Sequence, residues 1–349
     1  MNPEDRVPSK EAQECWLTQL RHWNKLLIQN DNKHEQTSGA ATNNRLAMIQ
    51  VGVDIGGSHI AACLYDSIEK RLILDSGSTY HVDPNWEPTK ILDTWSAAIS
   101  TTISCSQSKI AGVGIAIPGP FDYYEGISRI TGVNKYESIY GLNIKNELAT
   151  RLGLADSQVR FINDASAFAI AVSTIGKAKT FDRCLAITLG TGLGASFIVN
   201  RKPVFSDSRV PEGGFLYNQP VDGVMADELF STRGLLHLYH IVSGQRATNA
   251  LEIYQLAKSD PKARQAFQLF GQELGRFLAP FMGKFNAEVL VLGGNISNAF
   301  ELFKEPLIEE LPIEHVYLSG LMDHAALIGG ALLVDDEYYG ELSDLIKEM

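Results

Sequence analysis

Four short stretches of the chain combine glycines, carboxylates and amides in ways that suit work on a phosphate. The first is Asp54-Ile-Gly-Gly-Ser58. Gly56 and Gly57 let backbone N–H groups come close to an oxyanion, the Ser58 hydroxyl adds a donor, and Asp54 could hold a metal through water. The same residues also suit an ordinary tight turn with Asp54 as its acceptor. The second is Leu189-Gly-Thr-Gly-Leu-Gly-Ala195, which matches G-x-G-x-x-A and raises a dinucleotide-binding fingerprint as a rival. That fingerprint needs a helix directly after the glycines. Here Ser-Phe-Ile-Val-Asn200 follows, β-branched and aromatic, so a phosphate-cradling hairpin through Gly190, Thr191 and Gly192 is the better reading. No G-x-x-x-x-G-K-[ST] sequence is present, which excludes a P-loop.

The third stretch is Asn163-Asp164, between the apolar run VRFI and the small-residue run ASAFAIAV. A carboxylate at a helix start can be an N-cap, a general base, or both, with Asn163 supplying amide hydrogen bonds. The fourth, Gly293-Gly294 after VLVL, is weak alone; paired glycines could let a flat base slide against bare backbone.

The surrounding pattern is what would position these groups. IQVGVDIGGSHIAACLYD reads as two strands joined at Gly56-Gly57, with RLILDSGSTYHV as a third. A helix over about 89–104 precedes the buried strand AGVGIAIPG, which stops at Pro118-Gly119. LNIKNELATRLG is amphipathic and closes on Gly153, and the strand VRFIND leads into the helix ASAFAIAVSTIG. RCLAITLGTGLGASFIVNRKPVF then repeats strand, glycine turn, strand, with Asn200-Arg201 as a hairpin turn. Helices over about 225–285, the strand EVLVLGG and a helix from about Ala325 complete the chain. A duplicated α/β unit with a cleft between its halves is expected. The expected division is an extension of one amphipathic helix and a linker over 1–47, a small domain of 48–121 plus about 323–349, and a large domain of 122–322.

The chain has 349 residues, 45% hydrophobic and 20% charged, enough to bury a sizeable core. Its net charge of −11 would repel a phosphate backbone, so nucleic acid is not an expected partner. Four scattered cysteines without C-x-x-C spacing read as free thiols in a reducing compartment. The start has no secretory pattern and no apolar run is long enough to span a bilayer, so a cytoplasmic protein without a membrane partner is expected. Trp16, Leu20, Trp23 and Leu27 share a helix face that would dock on this protein or on a second copy in a homodimer.

The four segments, in this order, resemble the ATPase domain shared by actin, the 70-kDa chaperones and sugar kinases, and more narrowly the ROK family of bacterial sugar kinases and related repressors. The resemblance runs from about Ile49 to about Val334. It implies a duplicated ribonuclease H-like fold and an ATP-dependent hexose kinase using Mg2+, glucokinase-like in its substrate; a sugar-sensing regulator is the alternative. It also implies Asp164 as catalytic base and the hairpins Asp54–Ser58 and Gly190–Gly192 as phosphate elements, with Gly293 and Gly294 beside adenine. Asp54 would hold Mg2+ through water, and Pro118, Gly119, Asn134, Asn163 and Glu212 would line the sugar site. Where the family carries G-E-x-G-H and a cysteine-rich zinc loop, this chain reads Pro211-Glu-Gly-Gly-Phe215-Leu-Tyr-Asn. Phe215 stands in place of the histidine, no cysteines follow, and a structural zinc is not expected.

Overall fold

The computed structural model describes residues 48–132 and 135–349. The expected helix near residues 9–27, Cys15 and Asn134 lie outside the described residues. Residues 47–349 form one unit, built twice from the same pattern.

The chain opens with an antiparallel meander, β1 (Ile49–Ile55), β2 (His59–Asp66) and β3 (Arg71–His81). Helix α1 (Pro88–Ser104) starts where Glu87 is extended and Pro88 takes the first helical position. It buries Ile91, Leu92, Trp95, Ala98, Ile99 and Thr102, the three-and-four spacing of one helix face. Strand β4 (Ile110–Ile117) then lies parallel to β1 and is almost wholly buried, as a strand covered on both faces must be. Helix α2 (Ile144–Leu152) is capped at its start by the Asn143 side chain and at its end by Gly153, whose φ of 66° an L side chain seldom adopts. Strand β5 (Val159–Asn163) runs parallel to β4, and α3 (Asp164–Thr174) follows without a loop.

The second half repeats the plan. Strands β6 (Arg183–Leu189), β7 (Leu193–Val199) and β8 (Lys202–Val204) form the meander, and Asn200 and Arg201 both have positive φ in the tight turn between the last two. Helices α4 (Thr232–Ser243) and α5 (Pro261–Phe285) precede β9 (Val289–Gly293), which lies parallel to β6. The first sheet has the order β3-β2-β1-β4-β5, and the second β8-β7-β6-β9-β10, with β10 at Val316–Leu318. The two orders are equivalent, as a duplicated fold requires. Helices α6 (Ala325–Leu332) and α7 (Asp336–Lys347) close the chain.

The first sheet and its core draw on residues beyond 121. β5 is the outer strand of the first sheet, and Phe121, Ile139, Leu148 and Phe161 share its core with Leu342 and Ile346 of α7. Parallel neighbours need a crossover connection, and residues 118–158, with α2, are that crossover between β4 and β5. The sequence pattern also omits β10, a three-residue edge strand too short to show a period, and does not separate α7 from α6.

A third apolar cluster joins the halves through α3 and α6. Phe168, Ala169 and Val172 of α3 and Leu327, Ile328 and Ala331 of α6 pack with Cys184 and Ala186 of β6 and Val291 of β9. Helix α6 presses so closely on the first sheet that a Cβ on Gly114 would lie 1.8 Å from the Gly330 carbonyl oxygen, and one on Gly52 1.9 Å from that of Leu327. Both contacts are backbone, so neither can yield cheaply. Gly114→Ala is expected to cost at least about 2 kcal/mol, read as a lower urea midpoint with an unchanged slope. Among the described residues no helix is long and apolar enough to cross a membrane, and Cys63, Cys105 and Cys184 are free thiols.

Candidate active site

The site is organised around the first turn of α3. Asn163 is extended (φ −60°, ψ 142°), so its side-chain oxygen can cap the helix, accepting from the N–H groups of Ala165 at 3.0 Å and Ser166 at 3.2 Å. Its amide NH2 donates to the Tyr123 hydroxyl at 3.3 Å, and that hydroxyl donates to the Ile117 carbonyl at 3.3 Å. A Cβ on Gly119 would stand 3.0 Å from the same hydroxyl. Tyr123 therefore ties Asn163 to the end of β4 and the Pro118-Gly119 turn. The Gly119–Pro120 peptide is cis.

Asp164 is the first helical residue, with Oδ1 accepting from the Ala165 N–H at 2.8 Å. Burial raises its carboxyl above the ordinary aspartate range; hydrogen bonds from the helix start and Asn163, and the nearby charge of Lys135, oppose that shift without cancelling it. A base raised in this way is better matched to proton transfer near neutral pH than a free aspartate.

Asp54 lies near the end of β1, opposite Ala61 on β2 and Ala116 on β4. Burial first, then the charges of Asp164 and Asp323, push its carboxyl up to about 7. The hairpin beyond it is held by Gly56 N–H donating to the His59 carbonyl at 2.9 Å and by the Tyr136 hydroxyl donating to the Gly56 carbonyl at 2.7 Å. Gly57 and the exposed Ser58 form its tip.

The second hairpin abuts the same helix start. A Cβ on Gly194 would lie 3.0 Å from the Ala165 side chain, and the Ser166 and Ser196 hydroxyls stand 3.5 Å apart. Asp227 accepts from the Leu193 N–H at 2.7 Å, while Thr232 donates to the Gly190 carbonyl through its N–H at 2.8 Å and its hydroxyl at 2.9 Å. Arg233 donates to the Thr191 carbonyl at 2.9 Å and pairs with Asp227 and Glu228. Space is open where a Gly190 side chain would project, and that room suits a phosphate. Gly293 and Gly294 complete the group: a Cβ on Gly293 would lie 2.3 Å from the Phe168 ring, and one on Gly294 2.4 Å from the Leu189 carbonyl oxygen. These glycines have a packing reason of their own, independent of any bound base.

The four segments are thus brought together at one end of α3, with Pro118, Gly119 and Asn163 beside them. Glu212 is not joined to them: it is exposed on the turn Glu212–Gly214, and among the described residues no hydrogen bond or ion pair ties it to the aspartates. Phe215 turns its ring over Gly213 and packs against Tyr217 with ring centroids 5.5 Å apart, and Tyr217 lies near Tyr123. Tyr123, Tyr136, Asp227, Arg233 and Asp323 do not emerge from the motifs, although Tyr123 directly follows the Pro118-Gly119 segment and Tyr136 directly follows Asn134-Lys135. Among the described residues no three His, Cys, Asp or Glu side chains form a set that could hold a metal on protein ligands alone.

Comparison with known proteins points to one family. A glucokinase from Thermotoga maritima is 27% identical over 325 residues, covering 83% of this chain and 98% of that protein. An N-acetyl-D-glucosamine kinase from Haemophilus influenzae is 26% identical over 285 residues, covering 75% and 88%. The crystal structure of a ROK hexokinase from Thermus thermophilus superposes with a TM-score of 0.67 at 25% identity, covering 85% of this chain and all of that one. A ROK family glucokinase from Streptomyces griseus, solved with glucose and AMPPNP, superposes at 0.65 and 24% identity over 82% of this chain and 98% of its own, which supports the fold. The ROK family model itself matches residues 50–337, a span that takes in both meanders, both glycine hairpins and the helix pair between the sheets, and on that match the chain belongs to the ROK family.

Proposed function

We propose that this protein is an ATP-dependent sugar kinase that transfers the γ-phosphoryl group to a primary hydroxyl of glucose or a close relative such as mannose or an N-acetylhexosamine. The observation that carries this reading is the meeting of Asp164 with Asp54 and both glycine hairpins at the start of α3. A binding protein needs the pocket but has no use for a half-buried carboxylate poised to take a proton, so the sensor reading is the weaker one. The two kinases named above, from Thermotoga maritima and Haemophilus influenzae, support the substrate class.

The chemistry follows from the placement. Phosphoryl transfer passes through a loose transition state and asks mainly for alignment and charge neutralisation. The oxygen of the sugar hydroxyl forms a bond to the γ-phosphorus as the bond from that phosphorus to the β–γ bridging oxygen breaks, leaving ADP. Asp164 accepts the hydroxyl proton. The Asp54–Ser58 and Gly190–Gly192 turns offer backbone donors to the phosphates, and the Tyr136, Thr232 and Arg233 contacts hold those turns in shape before substrate arrives. Asn163 and the Pro118-Gly119 turn, fixed through Tyr123, would read sugar hydroxyls, with Asn134 as a further partner. A site of buried polar partners rejects an analogue lacking one hydroxyl, because its own groups are then left unpaired.

A divalent cation fits the carboxylate side of this site. Asp54 is raised first by burial and then by the charges of Asp164 and Asp323, and a cation would offset that neighbouring negative charge. Asp54 would hold hydrated Mg2+ through water, and Mg2+ so bound neutralises charge on the nucleotide phosphates. Gly293 and Gly294 would lie beside the adenine.

The reading is tested by ADP release with ATP and Mg2+ across a panel of glucose, mannose, N-acetylglucosamine and N-acetylmannosamine. Turnover stimulated by at least one sugar is expected. Sugar binding without turnover on any of them would overturn the kinase reading in favour of a sensor. Turnover with polyphosphate in place of ATP would instead correct the donor.

A further inference from the structure

The residue after Asn134 places a cation at the phosphate end of the site. A Cβ built on Gly57 would lie 3.2 Å from both Cε and Nζ of Lys135, so the ammonium rests against the bare backbone of the first hairpin, in space that a side chain at 57 would take. The charge of Lys135 also reaches Asp164, whose carboxyl it helps to hold down. One side chain thus touches a phosphate element and faces the base.

Its position is fixed by the next residue. Tyr136 is buried, donates its hydroxyl to the Gly56 carbonyl at 2.7 Å, packs edge-on against Trp95 with ring centroids 5.3 Å apart, and donates its N–H to the Pro84 carbonyl at 3.1 Å. The anchor of Lys135 and the shape of the hairpin therefore depend on the same contact. Lys135 itself is exposed, so no packing reason keeps it there. Of the site's carboxylates, Asp164 is the one coupled to the Lys135 charge, while Asp323 faces Asp54 and the His59 imidazole. The Gly56 and Ser58 carbonyls of the hairpin already accept from Tyr136 and from the Val82 N–H. A glycine turn offering N–H donors beside an ammonium collects positive potential at one point, and its natural ligand is the most highly charged end of a nucleotide.

We propose that Lys135 is a catalytic residue whose ammonium binds the γ-phosphate oxygens of the bound triphosphate and stabilises the charge spread over them as the phosphorus passes to the sugar. This rests on the kinase reading above and deepens it. The bond changes are those already given; the proton still goes to Asp164, and Lys135 donates hydrogen bonds without giving up a proton. Because the γ-phosphate is the group it holds, Lys135 distinguishes ATP from ADP.

The test uses the full-length protein with Lys135→Met, Lys135→Gln and Lys135→Arg, each checked for an unchanged Tm. Two readouts are taken: sugar-dependent ADP release, and the ratio of binding constants for ADP and a non-hydrolysable ATP analogue. For Met and Gln, kcat is expected to fall about 30- to 1,000-fold, with the sugar KM within about threefold, and the protein's preference for triphosphate over diphosphate is expected to shrink by about tenfold. Arg is expected to restore part of both. The acid limb of the kcat/KM profile should also move to higher pH in Lys135→Met, since a charge that holds Asp164 down is gone. A variant that keeps wild-type turnover and wild-type triphosphate preference would overturn the assignment while leaving the kinase reading intact. If the wild type phosphorylates no sugar, the kinase reading falls; the binding ratio then still decides Lys135, with a lost preference supporting its contact with the γ-phosphate and an unchanged one overturning it.

Discussion

Asp164→Asn is expected to lower kcat by about 100- to 10,000-fold while leaving the sugar KM within a few-fold, the pattern of a lost group that acts only in the transition state. Asparagine matches the shape of the side chain and keeps an oxygen that can accept from the Ala165 N–H, so α3 should start as before and the Asn163 cap should hold. What it cannot do is take a proton. Steady-state ADP release with a saturating sugar gives kcat, and equilibrium sugar binding separates a lost base from a damaged pocket. The wild-type kcat/KM profile carries a second check. With Asp164 raised by burial and Asp54 raised beside it, the acid limb should fall above the ordinary aspartate value of 3.8. A variant that keeps more than about a tenth of wild-type kcat would remove Asp164 from the role of base.

Much of this site was legible in the sequence because its parts are local. A glycine hairpin between two apolar strands announces itself in a few residues, and so does a polar pair between a strand and a small-residue helix. The rival dinucleotide fingerprint failed on local grounds as well, since β7 follows Gly192 where a helix would have to stand. What the pattern hid are the contacts that cross the fold. Tyr123 joins Asn163 from 40 residues away, Tyr136 reaches Gly56 across 80, and Asp227 and Thr232 brace a hairpin that lies about 40 residues earlier. A lone tyrosine or aspartate in a loop carries no period and no spacing, so only the folded chain gives it a partner. The reach of the first sheet past residue 121 is hidden for the same reason. The crossover from β4 to β5 contains its own helix and short turns, and nothing in its composition marks it as a connection within one sheet. The tight approach of α6 to Gly52 and Gly114 is likewise invisible in a strand whose glycines read only as weak points.

Asp54→Asn is expected to have two effects of opposite sign, loss of phosphoryl transfer and gain of stability, and the pH dependence of the second can be worked out in advance. In the unfolded chain Asp54 ionises near 3.8; in the folded protein burial, then Asp164 and Asp323, raise it to about 7. Below the unfolded value the carboxyl is protonated in both states and its folded environment costs nothing in ionisation. As pH rises from about 4 to about 7 the unfolded chain releases the proton that the fold retains, so stability is lost across that window and stays lost above it. The full shift corresponds to a penalty on the order of 2–4 kcal/mol after allowance for the part of the group that solvent reaches. Asparagine keeps the shape and removes the charge. In the absence of nucleotide, Asp54→Asn should therefore melt roughly 3–8 °C above the wild type at pH 8, and the two curves should converge towards pH 4. Adding Mg2+ with nucleotide should reverse the order, because only the wild-type carboxylate gains from a cation that offsets Asp164 and Asp323. Calorimetric scans of both proteins across this pH range, with and without Mg2+ and a non-hydrolysable nucleotide, measure every one of these differences. Parallel melting curves at all pH values would mean that Asp54 carries no such strain, and with it would go the reason for placing the cation there. A destabilised site that its own substrates repair is what a phosphoryl-transfer centre should contain, since the Asp164 and Asp323 charges that add to burial in raising Asp54 also draw a cation in.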